Sequence, residues 1–355
     1  MLRSFTRKLL NPQTTQPFRS VRPNKAFYSK CSKSSIVFDI DGVLVKGEHT
    51  LEEGKKALKY LNGENPFNVK VPHVFMTNSG GVSEASKALD LSTRLNTQVS
   101  PNQIILSHSP MRRLATTLAD QTVLVVGGVQ NNCAEIAASY GFKNVITPQD
   151  IHAFDPYKIE AINQLKVSAV LMFHDTFKFG RDLQITLDVL RCKDGKIHSE
   201  FCNAGKQSVP VWVSNQDFHF SNETVNPRFA QGAFHECLKA LYKMSTGNEL
   251  KYTAFGKPNR VQYDYTESVL KNWINENSDD FGHNGQHMLN KYDTFAIGDN
   301  PLSDIAGANS YGWSSILVCT GVYSKNTDKP LQHKPSYIAD NVYEAVKIIV
   351  ENNPE

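Results

Sequence analysis

Two aspartates one residue apart, Asp39 and Asp41, close an apolar run that begins at Ser35, and Gly42 follows them. Side chains at i and i+2 of an extended chain share one side. Like charges held together are costly unless a cation or a shared proton relieves them. The pair therefore fits cation binding, or acid–base work on one reacting group. A calcium loop also uses Asp-x-Asp, but it needs further oxygen ligands and a late Glu. Here Val43, Leu44 and Val45 follow instead.

Three further segments carry the same kind of chemistry. Val71–Met76 is an apolar run that ends in Thr77-Asn78-Ser79-Gly80-Gly81. A hydroxyl opening a glycine turn can hold an anion with its side chain and nearby amides. Tyr252–Phe255 leads to Gly256-Lys257-Pro258, a lysine placed to neutralise carboxylates or to bind phosphate. Thr294–Ile297 leads to Asp299 and Asp304, and Gly307 and Ala308 let the next helix pack closely. Singly, these are an ordinary polar turn, a surface lysine and an acidic loop. In fixed order they place four acids, a hydroxyl and a lysine at strand ends of one sheet, where open α/β sheets gather their chemistry.

The elements that must hold these groups alternate. Strands are expected at Ser35–Ile40, Val71–Met76, Ile104–Leu106, Thr122–Val126, Val145–Ile146, Val167–Phe173, Val209–Val213, Thr294–Ile297 and Ser315–Val318. Helical spacing falls at Glu52–Leu61, Ser83–Leu95 (with Ser83 as N-cap), Met111–Leu118, Asn131–Tyr140, and from near Arg228 to about Lys243. This pattern means βαβ units and a mainly parallel sheet. The polar stretch Asn272–Lys291 reads as a surface insertion.

The chain has 355 residues, 40% of them hydrophobic and 21% charged, enough for two domains. Its net charge of +3 hides an asymmetry. Residues 1–33 hold eight basic residues and no acid, so the remainder is net acidic. An acidic body argues against nucleic acid as a partner. The Arg-rich, acid-free leader has the composition of a mitochondrial transit peptide, with cleavage expected within Ala26–Ser35. No stretch approaches the ~18 apolar residues of a membrane-spanning helix. The six cysteines form no Cys-x-x-Cys pair and read as reduced thiols.

The order of these motifs resembles the haloacid dehalogenase (HAD) superfamily: Asp-x-Asp at Asp39 and Asp41, a Ser/Thr at Thr77, a Lys at Lys257, and an acidic pair at Asp299 and Asp304. The resemblance covers residues 35 to about 345. It implies an α/β fold with a Rossmann-like parallel-sheet core, and a phosphohydrolase mechanism. Asp39 would be the nucleophile, forming an aspartyl-phosphate, and Asp41 the general acid and base. Mg²⁺ would be held by the Asp39 carboxylate, the Asp41 backbone carbonyl and Asp299. Thr77 and Lys257 would hold phosphoryl oxygens, and Asp304 would complete the metal site, orienting Lys257 or a metal-bound water. An Asp at position 41 is similar to the phosphatase and phosphomutase branch rather than the dehalogenases or ion pumps.

The 180 residues between Thr77 and Lys257 exceed what the core needs. The resemblance makes the excess a large inserted α/β cap of the p-nitrophenylphosphatase type, expected at residues 112–226 between core segments 34–111 and 227–355. Asn78 and the cap-loop residues Asn215 and Asp217 are then substrate-binding candidates, with a small phosphorylated metabolite as substrate and a homodimer formed through the cap. Leu106-Ser107-His108-Ser109-Pro110-Met111, Pro227-Arg228-Phe229, Gly298-Asp299-Asn300-Pro301 and the run Ile316–Tyr323 narrow the resemblance to the cat eye syndrome critical region-type mitochondrial hydrolases. For that group a link to glycerophospholipid metabolism is implied. Ala230-Gln231-Gly232 departs from the Gly-x-Gly frequent in the branch. A protein phosphatase, a phosphomutase and a HAD-fold binding protein without turnover remain as alternatives.

Other features read as structural. Val126-Gly127-Gly128 lacks the three-glycine dinucleotide spacing, and His108 is a hydrogen-bonded core histidine. His283 and His287 fall among glycines in a surface loop, and His174-Asp175 either lines the underside of the cap or simply ends a cap strand.

Overall fold

The computed structural model describes residues 33–152, 165–197, 206–220, 228–281, 293–325 and 330–352. The leader through residue 32, His283 and His287, and the last three residues lie outside them.

In chain order the strands are β1 Ser34–Phe38, β2 Val45–Lys46, β3 His49–Thr50, β4 His73–Met76, β5 Ile104–Ile105, β6 Thr122–Val126, β7 Asn144–Ile146, β8 Ala169–Met172, β9 Val211–Val213, β10 His219–Phe220, β11 Arg228–Phe229, β12 Thr253–Ala254, β13 Asp293–Gly298, β14 Ser314–Val318 and β15 Tyr337–Ala339. The helices are α1 Glu52–Leu61, α2 Glu84–Leu95, α3 Ala115–Leu118, α4 Asn132–Ser139, α5 Pro148–His152, α6 Phe179–Arg191, α7 Gln231–Thr246, α8 Arg260–Glu276, α9 Ala306–Tyr311 and α10 Val342–Asn352.

Six strands form one parallel sheet in the order β15-β14-β13-β1-β4-β5. The chain leaves β1 toward β4 and β5, then returns through β13 on the other side, so the topological switch point lies at β1. Strand β1 is buried on both faces, as its unbroken apolar run requires. Ile36 and Phe38 pack with Leu58, Leu91 and Val346 of α1, α2 and α10, while Val37 faces Tyr263 and Leu270 of α8. Ser83 does cap α2, accepting from the Ser86 amide at 3.1 Å. Gly307 of α9 leaves room for Tyr263, whose ring fills the place of a Cβ.

The second parallel sheet, β12-β9-β8-β6-β7, is the cap. It extends further along the chain than the expected end at residue 226. Phe234, Leu238 and Tyr242 of α7 pack on Val170, Met172 and Val213, and β12 pairs with Trp212 and Val213. Residues 231–254 thus belong to the cap, because the apolar stripe of α7 is spent on the cap sheet. The stretch Asn272–Lys291 is also corrected at its start. Asn272–Glu276 completes α8, with Ile274 buried.

No helix among the described residues is long and apolar enough to cross a membrane.

His235, on α7, sits edge-on against Tyr252 with ring centroids 4.2 Å apart. Burial, aided by Lys239, lowers its pKa to about 4. The folded protein therefore excludes a proton that the unfolded chain accepts near pH 6.5. Stability from the neutral ring is complete above pH 6.5 and is lost as pH falls from there toward 4, by about 3 kcal/mol. Burial lowers His108 to about 4 as well, and lowers His73 and His174. Urea unfolding at pH 7 and 4.5 should therefore show a steeper combined slope, from which His235→Phe should remove the part that belongs to His235. An unchanged slope in the variant would place the acid lability elsewhere.

Candidate active site

The loops at the carboxyl ends of β1, β4 and β13 bring the candidate residues together. Strand β1 stops at Phe38, so Asp39 and Asp41 lie in the turn beyond it rather than along one strand face. Asp39 is buried and Asp41 is exposed. The Asp39 amide donates to Ile297 O at 2.8 Å, which fixes the nucleophile candidate against β13. Asp39, Asp299 and Asp304 offer carboxylate oxygens within 4.8 Å of one another, all buried.

One ammonium faces this trio. Lys257 Nζ lies 2.5 Å from Asp39 Oδ1 and 2.7 Å from Asp304 Oδ1, and donates to Met76 O at 3.2 Å. Burial pushes the Asp39 carboxyl well above its ordinary range. Lys257 opposes that shift, and the neighbouring carboxylates add to it. Burial and then Asp304 raise Asp299 to about 6. Burial works against the Lys257 charge, but Asp304 and Asp39 outweigh it and hold the ammonium above the usual lysine range.

Asp304 performs two tasks with its two oxygens. Oδ1 pairs with Lys257, and Oδ2 accepts from the amides of Asp299 at 3.2 Å and Asn300 at 3.0 Å. Asp299 Oδ2 accepts from the Val322 amide at 2.5 Å. Its carboxylate is walled by two glycines. A Cβ on Gly42 would lie 2.5 Å from Asp299 Oδ2, at a φ of +85° that already favours glycine, and Asp299 also occupies the place of a Cβ on Gly321.

Thr77 Oγ1 accepts from the Ser79 amide at 2.9 Å and lies 3.4 Å from Asp41 Oδ2. Its own hydrogen is therefore available to Asp41 or to a phosphoryl oxygen.

Lys257 corrects the expectation of a single sheet. The strand before it, β12, pairs with the cap strand β9, so the lysine descends from the cap into a site whose carboxylates belong to the core. Asn78 makes this junction. Its Oδ1 accepts from the Lys257 amide at 2.7 Å, and its Nδ2 donates to Lys257 O and to Asp217 Oδ2, both at 3.0 Å. The side-chain amide thereby bonds three protein groups and positions Lys257 and Asp217. Asp217, the cap-loop candidate, does reach the site. Burial raises its carboxyl, and the Asn78 hydrogen bond opposes that. Asn215 Oδ1 accepts from the Asp217 amide at 2.9 Å and so shapes the loop.

Gln231 is a residue that the motifs miss. It is buried, and its Oε1 accepts from Ser214 Oγ at 3.1 Å and from the Asn215 amide at 2.7 Å. A Cβ on Gly232 would fall against Gln216 O and Asp217 O. The departure at 230–232 thus forms the floor of the Asn215–Asp217 loop. His108 is buried, with Nδ1 2.9 Å from Tyr140 Oη. His174 packs its ring where a Cβ of Gly81 would stand, joining cap to core.

The haloacid dehalogenase-like hydrolase family model matches residues 36–143, and a HAD-hydrolase-like model matches residues 254–345. A mitochondrial hydrolase of Saccharomyces cerevisiae is 33% identical over 356 residues, covering 92% of this chain and 98% of that protein. A cardiolipin synthase (CMP-forming)/mitochondrial hydrolase fusion protein of Schizosaccharomyces pombe is 34% identical over 93% of this chain; the match spans 55% of the fusion protein. Among solved structures, p-nitrophenyl phosphatase from Archaeoglobus fulgidus superposes with a TM-score of 0.61 at 17% identity, over 90% of this chain and 99% of that one. A third of positions shared along nearly the whole of one relative, with both family models matched, makes this chain a member of the haloacid dehalogenase-like hydrolase family.

Proposed function

We propose that this protein hydrolyses phosphate monoesters through an aspartyl-phosphate on Asp39, with Mg²⁺ as cofactor. One observation carries the reading: among the described residues, three buried carboxylates face one ammonium. Such a cluster repels a phosphate dianion, and a divalent cation restores the balance. The donor set is all oxygen, which suits Mg²⁺. Asp39 and Asp299 would hold it, with the Asp41 carbonyl, whereas both Asp304 oxygens already have partners. When bound, the ion supplies the positive charge that lets a carboxylate approach phosphate.

An Asp39 oxygen attacks phosphorus, and the ester oxygen leaves with a proton from Asp41. Asp41 then takes a proton from water, which attacks the same phosphorus, releasing phosphate and restoring Asp39. Lys257 and the Thr77 hydroxyl hold the phosphoryl oxygens. Asp304 keeps Lys257 in place, and Asn78 keeps the lysine's backbone in place.

The substrate is a small phosphorylated compound, and we place it in glycerophospholipid metabolism. In its support, the fission-yeast relative carries a hydrolase of this kind in one chain with a CMP-forming cardiolipin synthase. A phosphatase frees a hydroxyl, and a CMP-forming transferase consumes one. The basic leader and the names of both yeast relatives support mitochondrial import. A reporter fused behind residues 1–33 should enter mitochondria, and its exclusion would remove this assignment. A homodimer through the cap completes the reading.

Purified protein should release phosphate from p-nitrophenyl phosphate and from members of a phosphorylated-metabolite panel. EDTA should abolish this and excess Mg²⁺ restore it. Folded protein with Mg²⁺ that turns over no compound would favour the binding-protein alternative.

A further inference from the structure

Two glycine pairs, Gly80-Gly81 of the core and Gly127-Gly128 of the cap, take no part in the chemistry themselves. They meet at one junction. Gly127-Gly128 follows β6, and His174-Asp175 follows β8, the neighbouring strand of the cap sheet. A Cβ on Gly127 would fall on the His174 carbonyl, and one on Gly128 would meet Asn132 Oδ1 and Cys133 Sγ. The Gly128 amide donates to Asp175 O at 2.8 Å. With no side chains at 127 and 128, the two cap loops close on each other and bring Asn132 and His174 to the same place.

That place is Gly81 of the core. Asn132, which opens α4, donates from Nδ2 to Gly81 O at 2.6 Å, while its Oδ1 accepts from the Cys133 amide at 2.8 Å. The His174 ring stands where a Cβ of Gly81 would be. Gly80 is covered by His108, Ser107 and the Phe173 carbonyl. Gly81 ends the turn that Thr77 begins. Inside the turn the Ser79 amide donates to Thr77 Oγ1 at 2.9 Å, and Ser79 O accepts from the Ser107 amide at 3.2 Å. The cap already holds the start of this turn, through Asp217 on Asn78 at 3.0 Å. Asn132 and His174 hold its end, so the cap grips the turn at two points three residues apart.

We infer that Asn132 and His174 are positioning residues for the Thr77 hydroxyl, acting from the cap through the turn 77–81. The inference rests on the phosphatase reading and adds to it. A turn fixed at one end alone can trade the Ser79–Thr77 hydrogen bond for water, and the Thr77 hydroxyl then has no set direction. With Gly81 O bonded and its Cα face covered, one arrangement remains. A donor set in advance stabilises developing phosphoryl charge without being ordered at the moment of reaction. Seating of the cap and readiness of the phosphate site are therefore one event: a cap that lifts from Gly81 also releases Thr77.

The test is a mutant cycle on the full chain with Mg²⁺ and p-nitrophenyl phosphate. Asn132→Asp keeps an oxygen for the Cys133 amide and loses the donor to Gly81 O. It should lower kcat/KM roughly tenfold, the worth of one hydrogen bond. In a Thr77→Ala background the same substitution should cost less than about twofold, because the hydroxyl it positions is gone. His174→Ala opens the space over Gly81 and gives a second arm with the same expected pattern. A role confined to folding would lower both backgrounds equally. That result overturns the inference, as do wild-type rates in both single variants. Turnover by the wild type reports on the phosphatase reading alone. Amide exchange at Ser79 reports on the clamp whether or not there is turnover. It should quicken roughly tenfold in Asn132→Asp and in His174→Ala, and unchanged exchange overturns the inference while leaving the phosphatase reading where the turnover puts it.

Discussion

Asp39→Asn is expected to lower phosphate release by roughly 10⁴-fold or more, while leaving the metal-free protein at least as stable as the wild type. The two halves of this result have one cause. A nucleophile aimed at a phosphate must be a carboxylate, yet burial and the neighbouring charges of Asp304, Asp299 and Asp41 all oppose that charge. Only Lys257 favours it. The amide removes the repulsion and still offers an oxygen to Lys257, and Lys257 keeps Asp304 as its ion partner. Cavity formation is avoided because Asn and Asp are nearly isosteric. Phosphate release and urea unfolding in EDTA, run on the same preparation, separate the outcomes. Lost activity with retained stability supports the nucleophile. Retained activity would remove Asp39 from that role, and lost stability would make it a structural ion-pair partner.

The legible and illegible parts of this site divide along physical lines. The strands β1, β4 and β13 could be read because each carries an apolar run that is buried and ends in acids or a hydroxyl, whereas the short, half-exposed edge strand β15 could not. Asp39, Thr77 and Asp299 therefore fall where the sequence places them, just past β1, β4 and β13. Lys257 was legible as a residue but not in its origin. Its strand is only Thr253–Ala254, too short for any periodicity to name its sheet, and the pairing with Trp212 and Val213 is a long-range choice. The extent of the cap was lost for the same reason. Helix α7 has an ordinary amphipathic stripe, and nothing local tells which sheet that stripe will cover. Asn78 has the composition of a substrate contact, but its partners Lys257 and Asp217 lie 179 and 139 residues away. Gln231 falls within the Ala230-Gln231-Gly232 departure, but nothing in the sequence gives it a task. Its importance comes from burial beneath the Asn215–Asp217 loop, which only the tertiary structure creates.

Because the cation comes from the cap and the carboxylates from the core, removing Lys257 should be the most destabilising single change in the site. Lys257→Met leaves Asp39 and Asp304 buried without their shared counter-charge, and breaking such a pair costs about 3–5 kcal/mol. The loss should depend on pH in a defined direction. A carboxyl whose folded pKa lies above its unfolded value contributes stability below the unfolded pKa and loses it as pH rises through the folded one. Asp39 is raised even with Lys257 beside it, and without the lysine it must rise further. The variant should therefore come closest to wild-type stability in mild acid and fall behind as pH climbs toward neutrality. Adding Asp304→Asn removes one of the two stranded charges, while the introduced side-chain amide can still accept from the Asp299 and Asn300 amides through its one oxygen. The double variant should recover a substantial part of the stability and none of the activity. Urea unfolding in EDTA across pH 5 to 8 gives the cycle directly. If the two substitutions simply add, Lys257 and Asp304 do not act as a pair, and the cap is held to the core by Asn78 and the His174–Gly81 contact rather than by the charges of the active site.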